Sequence, residues 1–127
     1  MRRHIVCVLL FFFIPAQGHA LEEGFFTIAR LQYDGGGDWY SDPSSLPNLL
    51  RFIRDNTLVD AAAEEARVGL VDEELFSYPY LYMTGHGNVS FNPAEVERLR
   101  RYLESGGFLH ADDNYGMDES FRREMKR

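Results

Sequence analysis

A layered α/β fold with a mostly parallel sheet is predicted by three observations. Apolar, β-rich runs alternate with helix signals from Phe25 to the end of the chain. The run Pro79 to Thr84 is almost wholly apolar, as in a strand buried on both faces. A well-signalled helix then joins it to a second strand through short connections, which is a βαβ unit with parallel strands and a right-handed crossover.

The elements follow in order. Phe25 to Gln32 is rich in β-branched and aromatic residues and reads as the first strand. Tyr33 to Ser45 is a loop containing Gly35, Gly36 and Gly37. Ser44 or Ser45 then caps a helix with Pro47 in its first turn, where the missing N–H costs nothing. Leu46, Leu49, Leu50 and Ile53 fall on one face of that helix, and Asn56 stops it. Val68-Gly69-Leu70 is a short strand, with Val59 a second candidate, and Asp72 to Phe76 makes a single helical turn. The clearest helix starts at Asn92, with Pro93 in its first position and Glu95 completing a capping box. Val96, Leu99 and Leu103 form its apolar stripe, Glu97 and Arg101 pair across a turn, and Gly106 ends it in the left-handed region. Gly107 to Ala111 is the next strand, and Asp118 caps a last helix. That helix is cut short at Arg127, so residues 21–127 are expected to be the N-terminal part of a longer α/β domain, truncated at its C-terminus.

Composition narrows the function. The chain has 127 residues and a single cysteine. A basic head, Met1 to His4, precedes ten apolar residues, Ile5 to Ile14, and Pro15 to Ala20 ends in small residues, the three-part pattern of a secretory signal at residues 1–20. Ten residues are too few to span a bilayer as a helix. Cleavage after Ala20 removes Arg2, Arg3 and Cys7 but no acidic residue, so the formal net charge moves from −7 to −9. The mature chain is then periplasmic or secreted, with no membrane span, disulfide or thiol nucleophile. Its charge argues against nucleic acid and against anionic membrane faces.

Ligands of open parallel sheets bind beyond the carboxyl ends of the strands. Three loops expected there are dense in Gly, His, Asp, Asn and aromatic residues. Gly36, Gly37, Asp38, Trp39 and Tyr40 lie in the first, and Gly85, His86, Gly87 and Asn88 in the second. His110, Asp112, Asp113 and Asn114 lie in the third. The glycines lack the spacing of nucleotide-binding loops, and Asp34, Asp38 and Asp42 would repel a phosphate. They read either as a turn with Trp39 packed on the body or as a polar ligand site with Trp39 or Tyr40 as its platform. His86 and His110 are either strand caps or, with Asp112, acid–base groups of one pocket, with their rings expected within roughly 10 Å of each other. Asp112 and Asp113 are also the candidate holders of a divalent cation, although no metal-binding spacing is present. Asn88-Val89-Ser90 matches a glycosylation acceptor by chance.

The stretches "RLQYDGGGDWYSDPSSLPNLLRFIRDNT" and "YPYLYMTGHGNVSFNPAEVERLRRYLESGGFLHADDNYGMDESFRREMKR" resemble the bacterial domain of unknown function 4159. Met83 to Ala111 is also similar to trehalose-utilisation-type proteins of the class I glutamine-amidotransferase-like superfamily. The resemblance implies a flavodoxin-like three-layer sandwich with its site at the carboxyl edge of the sheet. It also implies a nucleophile position at His110, where those amidotransferases carry cysteine. A cysteine-dependent amidotransferase is thereby excluded. The sequence leaves two functions open. One is binding of a small polar ligand such as a carbohydrate, with hydrolase-like chemistry. The other is a non-catalytic module that contacts an envelope protein.

Overall fold

The computed structural model describes residues 24–127, so the signal sequence expected at residues 1–20 lies outside the described residues. Four strands, β1 (Ala29–Gln32), β2 (Ala66–Gly69), β3 (Tyr80–His86) and β4 (Phe108–Tyr115), form one sheet in the order β2-β1-β3-β4. Every pairing is parallel. α1 (Ser45–Asn56) connects β1 to β2, a single helical turn (Glu73–Ser77) lies between β2 and β3, α2 (Pro93–Glu104) connects β3 to β4, and α3 (Asp118–Glu124) follows β4. The result is a flavodoxin-like α/β sandwich, as the sequence predicts.

Each face of the sheet has its own core, because alternate strand residues point to opposite sides. On one face Ile28 and Tyr82 pack against Leu46 and Leu50 of α1. On the other, Leu31, Leu81 and Met83 meet Leu99 and Tyr102 of α2. The described helices include none long and apolar enough to cross a membrane.

The α2 capping box forms as its sequence dictates. Asn92 Oδ1 accepts from Ala94 N and Glu95 N at 2.9 and 3.0 Å, and Glu95 Oε2 accepts from Asn92 N at 2.7 Å. Gly106, with φ of 97°, ends the helix. Three boundaries differ from expectation. β1 is shorter, Phe26 making only an isolated bridge to Ala61. Val59 joins no strand. β4 runs four residues past Ala111, because Asp112 to Tyr115 continue the ladder with β3 although their polarity reads as loop. Asp118 begins α3 but does not cap it. Asp113 does so, its carboxylate accepting from Met117 N and Asp118 N at 2.9 and 3.0 Å.

Candidate functional site

The glycine-rich loop after β1 lies antiparallel to the loop after β3. Ser90 N donates to Asp34 O at 2.7 Å, Gly37 N to Asn88 O at 3.0 Å and Asp38 N to His86 O at 3.2 Å. Gly35 permits this approach, since a Cβ there would sit 2.6 Å from Ser90 N. The N–H groups of Gly37 and Asp38 are therefore committed to the neighbouring loop, away from any phosphate.

The short ladder brings Asp38 onto His86. The Asp38 carboxylate accepts from the His86 backbone N–H, and its Oδ2 lies 3.1 Å from His86 Nδ1. That backbone N–H, and after it the ring, hold the Asp38 carboxyl below the ordinary carboxylate range against the opposing effect of burial. An ionised carboxylate only accepts, so the proton of the ring contact belongs to Nδ1 and the lone pair of a neutral imidazole sits on Nε2. The His86 side chain is 56% exposed, which opens Nε2 to solvent. A carboxylate that fixes the tautomer of an exposed imidazole is the arrangement used for general base catalysis.

Beneath the pair, Tyr33 donates from its hydroxyl to Thr84 O at 3.0 Å. Burial first, then the charges of Asp38 and Asp113, push its phenol up to about 12. Gly85 is required at this point, because a Cβ would meet the Tyr33 hydroxyl at 2.2 Å. Thr84 Oγ1 is buried without a hydrogen-bond partner among the described residues. It lies close enough to the Tyr82 phenol to favour that group's ionisation, but outside bonding geometry; burial is the larger effect and raises Tyr82.

The far end of the glycine-rich loop is held by Arg30, which the sequence reading missed. Its guanidinium donates to Ser41 O at 2.8 Å, to Asp42 O and Ser45 Oγ at 3.3 Å, and to Trp39 O at 3.4 Å. Glu65 neutralises it at 2.8 Å, with both side chains buried. A lone charge inside an otherwise apolar strand, Ile28-Ala29-Arg30-Leu31, was the available signal. Asp42 adopts the left-handed region, with φ of 51°, and accepts from Asn114 Nδ2 at 2.7 Å. Trp39 is partly buried against the core and stands edge-on to the exposed Tyr40, with ring centroids 5.5 Å apart.

The structure thus gathers Gly36, Gly37, Asp38, Trp39, Tyr40, Gly85, His86, Gly87 and Asn88 at one edge of the sheet, with Asn114 tied in through Asp42. His110 is not among them. It pairs with Tyr82, four residues before His86 along β3, which places it roughly 13 Å down the strand axis. The position is therefore inside a strand, and no tight turn presents it. The cause is the length of β4, which carries the loop beyond Tyr115. His110 Nδ1 lies 2.8 Å from the Tyr80 hydroxyl, and its ring stands edge-on to Tyr82 at 5.1 Å. Asp112 is opposite Thr84 and accepts from the Tyr82 hydroxyl at 3.1 Å. Asp113 is turned to α3. The two carboxylates expected to hold a divalent cation thus have separate partners, and no group of three or more His, Cys, Asp or Glu side chains is placed for a metal ion among the described residues. A cavity of about 250 Å³ between α2 and the end of α3, floored by Phe91, Leu99 and Leu103, contains none of the expected site residues.

The family model of a domain of unknown function, DUF4159, matches residues 27–127, and the chain belongs to that family. No curated protein matches the sequence.

Proposed function

We propose, from membership of a family without an assigned activity, that the protein binds a small polar ligand at the rim around Asp38 and His86. The ligand class favoured is carbohydrate, and the chemistry favoured is proton transfer of the hydrolase kind. The observation that carries this reading is the Asp38–His86 pair: a partly exposed carboxylate orients an exposed imidazole whose Nε2 can take a proton from a bound hydroxyl or water. Trp39 and Tyr40 supply the aromatic surface beside it. Arg30, the cation beneath the glycine-rich loop, is buried and occupied by Glu65, Ser41 and the neighbouring carbonyls, so it does not present its charge to an anion at this rim. The proposal includes kinship of Met83 to Ala111 with trehalose-utilisation-type proteins of the glutamine-amidotransferase-like superfamily and export of the mature chain to the periplasm or beyond, both read from the sequence alone. His110 and Asp112 have a supporting part at most, as a hydrogen-bonded row below the rim.

The rival reading, a module that contacts an envelope protein, draws on exposed apolar side chains such as Phe52 and Phe108, at 61% and 56% exposure. A thermal-shift screen separates the two. Neutral saccharides are expected to raise the Tm of the protein, and His86→Ala and Asp38→Asn are expected to lose that rise. A rise produced only by phosphorylated sugars or divalent ions, or one that survives both substitutions, would refute the proposal.

A further inference from the structure

Tyr115 closes β4 and is 81% exposed. Among the described residues its side chain makes no hydrogen bond and no ring contact, so nothing in the fold requires an aromatic residue there. Its position, however, is closely specified. Thr84 faces Asp112 and Gly85 faces Asp113, but His86 faces Tyr115, which leaves Asn114 as the extra residue of a β-bulge. The bulge is pinned from both sides. The Asn114 amide donates to Ser41 Oγ at 3.2 Å and to Asp42 Oδ2 at 2.7 Å, while Gly87 N donates to Tyr115 O at 3.1 Å. Without the extra residue, Asn114 would stand opposite His86. With it, Tyr115 is the residue paired with His86, across parallel strands that run about 4.8 Å apart.

We infer that Tyr115 is a ligand-contacting residue of the His86 site and that it selects a neutral, ring-shaped polyol, a saccharide; this rests on the reading of Asp38 and His86 given above. A sugar ring offers an apolar C–H face to an aromatic side chain and hydroxyls to the polar groups beside it, and this rim supplies both. Tyr115, on β4, is the register partner of His86 on β3, and Tyr40, 63% exposed, follows Asp38 and Trp39 on the glycine-rich loop. Anionic ligands are disfavoured by Asp34, Asp38, Asp42, Asp112 and Asp113, which populate the same end of the sheet.

The test is an NMR titration of the isotope-labelled protein with maltose, cellobiose, choline and inorganic phosphate. A neutral disaccharide is expected to move the His86 ring resonances together with those of Tyr115. Tyr115→Ala is expected to weaken its binding about tenfold, and Tyr115→Phe to keep it within about twofold. Because the ring is exposed, an unchanged spectrum elsewhere verifies that each variant is folded. A disaccharide that moves His86 but binds Tyr115→Ala as tightly as the parent protein would overturn the role of Tyr115 and leave the His86 site standing. Failure of both disaccharides to move His86, or movement by choline or phosphate alone, would overturn the site reading and the inference with it.

Discussion

Arg30 is the residue on which the rim depends most. A guanidinium with 1% of its side chain exposed is tolerable only because each of its hydrogen-bonding directions has an acceptor, and Glu65 supplies the opposing charge. Replacing it by methionine keeps much of the volume but leaves the Glu65 carboxylate buried with only Arg67 near it, 3.5 Å away on the solvent side. It also releases the carbonyls of Trp39, Ser41 and Asp42 from their donor. Arg30→Met is expected to cost about 3–5 kcal/mol, seen as a lower urea midpoint, while the double variant Arg30→Met with Glu65→Met is expected to lose clearly less. Equal losses in the single and double variants would show that the pair is not the source of the effect.

At the scale of elements, α2 and α3 show two ways of starting a helix. α2 carries its cap in adjacent residues, and Asn92→Ala should cost about 1 kcal/mol in denaturant unfolding. α3 takes its cap from Asp113 on β4, outside the helix and across a turn, so Asp113→Ala should cost a comparable amount and should fray α3 selectively, visible as lost amide protection from Met117 onward. An intact α3 in that variant would contradict this assignment. The contrast also marks what could be read from sequence. The α2 boundaries, its capping box, the Glu97–Arg101 pair and the parallel β3-α2-β4 unit were legible because they are written in local spacing. The extent of β4 was not, because Asp112, Asp113 and Asn114 are polar residues held in a strand by the ladder with β3 and by side-chain partners that local spacing does not reveal: Tyr82 and Asp42, distant in sequence, and the start of α3. The separation of His110 from His86 follows directly from that one misplaced boundary. The Asp38–His86 pair was half legible: both residues were singled out, but their contact depends on the pairing of two loops, for which local spacing carries no mark.

At the scale of the whole molecule, the response to acid should follow from two carboxylates. Asp38 and Glu124 both have folded pKa values below their ordinary ones. Asp38 is lowered chiefly by the His86 N–H; for Glu124, burial acts upward and is outweighed by Arg127, the Phe91 N–H and Arg123. The unfolded chain therefore takes up these protons first. The stability they contribute is complete above about pH 4.5 and is lost as the pH falls through the folded values. Urea midpoints measured from pH 3 to 7 should fall in acid, and Asp38→Asn should flatten that fall; superimposable profiles for parent and variant would exclude Asp38 from it. The pairing of the glycine-rich loop with the His86 loop has a consequence of another kind. Three successive glycines usually mark a segment that must be ordered when something binds, and that ordering reduces affinity. Here the segment is laddered to its neighbour at one end and clamped by a buried guanidinium at the other. A molecule arriving at this rim would meet a backbone already in place, and its association would proceed without the gating step that a closing flap imposes.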